Sequence, residues 1–323
     1  MFEILTYPFM QRALLAAALT GLLAPAVGMY IVQRRLSLLG DGLGHVAIAG
    51  VGLALLSGWA PFPVAVLACV AGAVSIELLR STGKAPDDTG LAILFYGGLS
   101  LGVLLAGMAN RGTSALSQYL FGSLTTVTNG DVTVLVVLCL VMLSVTITLA
   151  PQLFSVCADE EYARTQGLPV TLLNILIVTL AAITVSASMR TVGVLLVSAL
   201  MVVPVAAASN VAVGFRATLV AAIGIGAVVA IGGTLASAAW DTPSGATIVV
   251  LAVAVFVVSA VLGRLLVTRR SLAAEPDLPT LQPHTLAEPE PNEAATAVLH
   301  GDHVDFLLHG HRHYPHEDHF DEH

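Results

Sequence analysis

Nine apolar stretches of 18 to 23 residues, each bounded by polar residues, glycine or proline, follow one another between residues 10 and 267. They cover residues 10–32, 38–57, 61–79, 91–109, 132–151, 170–187, 192–209, 218–239 and 247–267. A helix that crosses a bilayer takes about 20 apolar residues. The pattern therefore predicts an all-α polytopic transmembrane bundle of about nine spans, with eight as the alternative if one weaker segment lies elsewhere. The first apolar run lacks a basic leader and a small-residue cleavage site, so it reads as a retained span. Residues 110–131 are long and semi-apolar, with Leu116, Tyr119, Leu120 and Phe121, and are expected to hold a re-entrant or interfacial helix.

The few basic residues orient the bundle, because short cytoplasmic loops are enriched in Lys and Arg. With Arg34 and Arg35 inside, alternation also places Arg80, Lys84, Arg164, Arg216, Arg264, Arg269 and Arg270 inside. Only Arg12, Arg111 and Arg190 fall outside. The expected location is the cell membrane, with an external N-terminus and a cytoplasmic C-terminal tail.

Composition agrees: 56% of the 323 residues are hydrophobic and 11% charged, with a mean hydropathy of +0.88, which excludes an ordinary soluble globular chain. The net charge of -8 conceals two unlike segments. Residues 1–270 are close to neutral, while residues 271–323 carry Arg312 alone against 11 acids, and nine of the ten histidines. Without clustered Lys and Arg, binding to nucleic acid is excluded. The chain thus divides into a transmembrane domain (1–270), a flexible Pro/Glu/Ala-rich linker (271–298) and a His-rich acidic tail (299–323). Cys69, Cys139 and Cys157 have no C-x-x-C spacing and are expected to fill apolar space.

Ionisable residues within hydrocarbon are costly and mark function. Asp41 and His45 are four residues apart, on one face of a helix, and can reach one ion. Counted as helix from Arg35, His45 falls about 15 Å deep, near the midplane of a core about 30 Å thick. One carboxylate and one imidazole are two ligands where zinc takes four, so a two-fold dimer would supply Asp2His2 for Zn²⁺ or, with more coordination, Mn²⁺. Residues 159–169 read as a short amphiphilic helix ended by Gly167 and Pro169, suited to docking on a cytoplasmic partner. Glu77 and Arg80 are expected to pair or snorkel. Asn174 is expected to bond between helices, and Asp131 and Asp241 to begin external helices. Met189 and Met201 are expected to pack.

Residues 37–54, SLLGDGLGHVAIAGVGLA, resemble the signature of the zinc/manganese-type ABC transporter permeases, in which Asp-x-x-x-His follows a basic loop after the first span. Residues 159–169 are similar to that family's coupling segment, with Glu161, Ala163 and Gly167 on the wider E-A-A-x-x-x-G pattern and Tyr162 at its second small position. Residues 192–208 resemble its proline-bearing small-residue helix. The likeness runs over residues 8–267. It implies the ABC importer permease fold, a homodimeric pore, a separate cytoplasmic ATPase and an extracellular or periplasmic metal-binding protein. It also implies pore ligands at Asp41 and His45, and ATPase coupling at Glu161, Ala163 and Gly167. The metal is cargo, and no resident cofactor is expected.

The chain is not expected to be an enzyme: its only lysine, Lys84, precedes Ala85 and has no P-loop around it. No G-x-S-x-G supports an intramembrane hydrolase, and a proton-coupled carrier would need further deep carboxylates. The expected cargo is zinc, with manganese or iron as the alternative. The tail departs from the family pattern. Its His300, His303, His309, His311, His313, His316, His319 and His323, mixed with acids, suit zinc better than manganese. On a helix His309, His311 and His313 cannot all face one way, so the expected binding is adaptive, in a buffer or sensor.

Overall fold

The computed structural model describes residues 7–83, 87–109, 119–120, 122, 127–189, 192–273, 296–300, 303–308, 311–315 and 320–322. Its helices follow the apolar runs closely: α1 (Pro8–Gln33), α2 (Leu39–Ser57), α3 (Pro61–Ser81), α4 (Asp87–Met108), α5 (Asn129–Thr148), α6 (Ala150–Ala158), α7 (Glu160–Thr165), α8 (Val170–Ser188), α9 (Val194–Ser209), α10 (Phe215–Trp240) and α11 (Ser244–Ala273). Local chemistry sets several ends. Pro8 and Pro61 open α1 and α3 at the position where a missing N–H costs nothing. Thr128 and Asp131 form a reciprocal capping box at the start of α5. Asp241 does not begin a helix as expected. It caps the C-terminus of α10 in a left-handed conformation, φ 51°, one that Asp tolerates better than most residues.

Eight of these helices are long and apolar enough to cross a membrane. The ninth apolar run is α9, whose 16 residues rise only about 24 Å. Gly193 at φ 90° precedes it and Pro204 lies within it. Of the long helices, α1, α2 and α8 are largely buried, whereas α3, α4, α5, α10 and α11 present most of their apolar surface outward, as lipid-facing helices must. The buried centre is small-sided: Ala17, Ala24, Ala47, Ala181 and Ala182 are all completely or almost completely enclosed, which lets backbones approach closely. The three cysteines are free thiols, Cys69 and Cys139 among them buried.

The chain separates into two compact units, residues 1–266 and 267–323. In the second unit the sequence predicted no regular structure. The backbone instead forms an antiparallel meander of β1 (Thr296–His300), β2 (His303–Leu308), β3 (His311–Pro315) and β4 (Phe320–Glu322), in that order. The register pairs His300 with His303, Phe306 with His313, and His313 with Glu322.

Candidate metal pathway and coupling segment

Asp41 lies in the first turn of α2, where the helix dipole favours a carboxylate, and His45 follows one turn later. Because α2 begins only at Leu39 after a non-helical turn, His45 is about 9 Å along the helix from its start. That is less than the depth expected from a continuous helix out of Arg35. His45 is buried while Asp41 is half-buried, so the pair presents one enclosed and one accessible donor.

Two neighbouring helices define the environment of this pair. Phe95 of α4 meets the His45 ring edge-on, with centroids 4.2 Å apart and planes at 79°. Gly98, one turn further along α4, lets that helix lie against α2: a Cβ there would come 2.7 Å from Val46 N and 2.8 Å from His45 C. On the other side Ser198 of α9 donates to Asp41 Oδ1 at 2.5 Å. Gly40 and Gly44 make room for that approach, because a Cβ on either would press on Ser198 or Val194. The imidazole is the exception to this satisfied network. His45 Nδ1 is buried with no hydrogen-bond partner among the described residues, and such a group carries a desolvation penalty unless something occupies it.

Residues 159–169, the candidate coupling segment, are also built from short-range chemistry. Asp159 caps α7, accepting from Tyr162 N at 2.9 Å. Gly167 ends the segment at φ 77° with open space around it, a geometry glycine adopts without strain. Ala163 is fully enclosed, while Glu161 and Tyr162 are exposed. The short helix is thus anchored by Ala163 and offers a polar outer face.

Sequence reasoning missed an ionic cluster. Arg34, after α1, donates through Nη2 to Glu77 Oε1 of α3 at 3.1 Å and to Glu160 Oε1 of α7 at 3.2 Å. Asn174 Nδ2 of α8 donates to the same Glu160 oxygen at 3.0 Å, the interhelical bond expected of it. Arg80 reaches Glu77 at 3.6 Å, but the closer partner of Glu77 is Arg34. A lone carboxylate in the apolar run of α3 was the available signal, since such a group needs a cation. Met189 and Met201 pack in the core as expected. In the tail, His300, His303, His311 and His313 fall on described strands, whereas His309, His316, His319 and His323 lie outside the described residues.

A polytopic helical membrane protein with an Asp–His pair in one helix and a short, Asp-capped helix ended by Gly167 is the class these features define. The family model of the ABC 3 transport family matches residues 6–263. The chain belongs to this family; it is a transporter membrane subunit and not an enzyme. It is 31% identical over 255 residues to a manganese transport system membrane protein of Halalkalibacterium halodurans, covering 79% of this chain and 87% of that one. It is 32% identical over 260 residues to a chelated iron transport system membrane protein of Yersinia pestis, covering 80% and 86%. A high-affinity zinc uptake system membrane protein of Haemophilus influenzae is 30% identical over 259 residues, covering 80% and 97%. Among solved structures, PsaBC from Streptococcus pneumoniae in complex with Fab matches with a TM-score of 0.70 at 27% identity, over 80% of this chain and 93% of that one.

Proposed function

We propose that this chain is the membrane subunit of an ATP-driven importer of a divalent transition-metal ion, in which Asp41 and His45 hold the ion in transit. The observation that carries the reading is the buried, unpartnered His45 Nδ1 one turn from a partly accessible carboxylate. Two donors from one chain are too few for a closed metal site, so two copies face each other and together supply Asp2His2. An external metal-binding protein delivers the ion, and a cytoplasmic ATPase subunit docks on the segment containing Glu161, Ala163 and Gly167. The side of the chain bearing α7 is taken as cytoplasmic. Zinc is proposed ahead of manganese on the imidazole donors, which suit it. The relatives, named for manganese, chelated iron and zinc at similar identity, carry no preference among the three.

The experiment is ATP-dependent uptake of radiolabelled zinc into cells expressing the chain with its ATPase and binding protein, with manganese and ferrous iron as competitors. Uptake that requires all three subunits supports the reading, and the strongest competitor identifies the cargo. Uptake that persists without the ATPase and collapses with the proton gradient would make the chain a secondary carrier.

The tail binds metal independently of the pore. The β3 strand carries His311 and His313, and its register sets His313 opposite Glu322. Two imidazole positions and one carboxylate position in that register suit zinc.

A further inference from the structure

The cluster around Arg34 joins three elements through charge: the α1–α2 turn, α3 and the short helix α7. Its two ion pairs are unequal. Arg34 and Glu77 have side chains 2% and 3% exposed, whereas the Glu160 side chain is 42% exposed. Breaking a sealed pair leaves an uncompensated buried charge and is strongly disfavoured; an ion pair with one partner in water contributes little and separates readily. Arg34 is therefore fixed to Glu77 and releasable from Glu160.

Release also needs somewhere for the carboxylate to go. A cavity of about 650 Å³ opens beside the cluster, lined by Arg34, Arg35, Arg80, Cys157 and Glu160 itself. Arg35 stands on that same wall as a further cation for a departing Glu160. Arg34, for its part, uses a single nitrogen for both carboxylates, while its buried Nε and Nη1 have no partner among the described residues. The contact to Glu160 can therefore rearrange while that to Glu77 stays in place.

The backbone after Arg34 is tightly wound. Arg35 stands at φ 59°, Leu36 N donates to Ile31 O at 3.0 Å, and Leu39 N to Leu36 O at 2.9 Å. Asp41 lies two residues beyond Leu39. A displacement of the Arg34 end therefore passes into the first turn of α2 through hydrogen-bonded chain. We propose that Glu160 is the releasable contact through which motion of α7 reaches the metal pathway, and that Arg34 is the positioning residue that carries it to Asp41. This rests on the reading of the chain as an ATP-driven permease, which does not itself assign a role to either residue.

The test uses the full chain with its cognate ATPase and binding protein in proteoliposomes, in two measurements. The first is metal moved per ATP hydrolysed, read with radiolabelled zinc and manganese in parallel. Glu160→Gln is expected to lower that ratio roughly tenfold, within the range of coupling changes made by remote residues, and Glu160→Asp to restore most of it. The second is the distance between spin labels at Leu38 and Gln166, both exposed, with the native cysteines replaced. In the wild-type background it is expected to differ between nucleotide-free and ATP-trapped states, and in Glu160→Gln to stay at one value. An unchanged transport ratio in Glu160→Gln, or a loss that merely follows lower assembly of the complex, overturns the proposal. So does a label distance that never changes in the wild-type background, whatever the cargo. Absence of metal uptake by the wild type, with the distance change intact, would overturn the importer reading alone.

Discussion

Ser198 on α9 donates a hydrogen bond of 2.5 Å to Asp41 on α2, across 157 residues of sequence. The bond fixes which carboxylate oxygen faces α9 and, in the proposed site, leaves Oδ2 for an ion. Partners outside the ligand set typically contribute 10- to 100-fold in metal affinity. Ser198→Ala is therefore expected to raise the half-saturating metal concentration for uptake about tenfold, with Ser198→Thr retaining most of the affinity. Uptake kinetics over a metal titration check this.

The sealed Arg34–Glu77 pair predicts a stability effect. Glu77→Gln removes the fixed partner of a buried guanidinium, a change that costs about 3–5 kcal/mol where such pairs are broken. The thermal unfolding midpoint of the detergent-solubilised protein is expected to fall. Glu160→Gln, at the exposed end of the cluster, is expected to leave it nearly unchanged.

Close helix approach beside the site gives another prediction. A Cβ on Gly98 would meet the backbone of Val46 and His45, which cannot yield as a flexible side chain can. Gly98→Ala is expected to destabilise the protein by about 1–3 kcal/mol, the usual cost of overpacking. It should also lower uptake by shifting α4 from His45, whereas Gly97→Ala, with open space around it, is expected to be silent. Paired thermal and uptake measurements check both variants.

Burial pushes the Cys157 thiol up to about 12 from its ordinary 9.0, with Arg34 pulling it down and Glu160 pushing it up. The thiolate is therefore disfavoured in the folded chain relative to the unfolded one. The stability this contributes is fully present below pH 9 and is lost as pH rises towards about 12. Since the thiolate is the nucleophile, iodoacetamide at pH 8 is expected to leave Cys157 largely unmodified in the folded protein and to alkylate it after unfolding in SDS. Mass spectrometry of the peptide distinguishes the two.

Much of the bundle was legible because hydrocarbon imposes one rule on every span: about 20 apolar residues between polar breaks. The helix over residues 192–209 shows where that rule stops, since composition alone did not reveal that Gly193 shortens it to 16 residues. The Asp41–His45 pair was visible as charge in an apolar run at helical spacing. Its partners were not, because Ser198 and Phe95 come from distant helices and neither is unusual in a span. Asp241 was misread because a carboxylate between two helices fits the end of one as well as the start of the next. The β-meander escaped a reading based on charge and composition, since its strands are set by pairing across turns.

The tail prediction separates the two regions proposed to handle metal. Ending the chain after about residue 280 is expected to preserve uptake while reducing zinc retained by the purified protein. It is also expected to weaken the shut-off of uptake at high zinc. Unchanged retention and unchanged shut-off would remove the tail from metal handling.

The most direct test of the central claim is uptake by His45→Ala with its ATPase and binding protein present and assembly of the dimer measured in the same preparation. The imidazole is one of the two donors that the proposed site takes from each chain, so the account predicts loss of metal uptake with the dimer intact. Uptake at the wild-type level in that variant would contradict it and would place the ion's path away from Asp41 and His45.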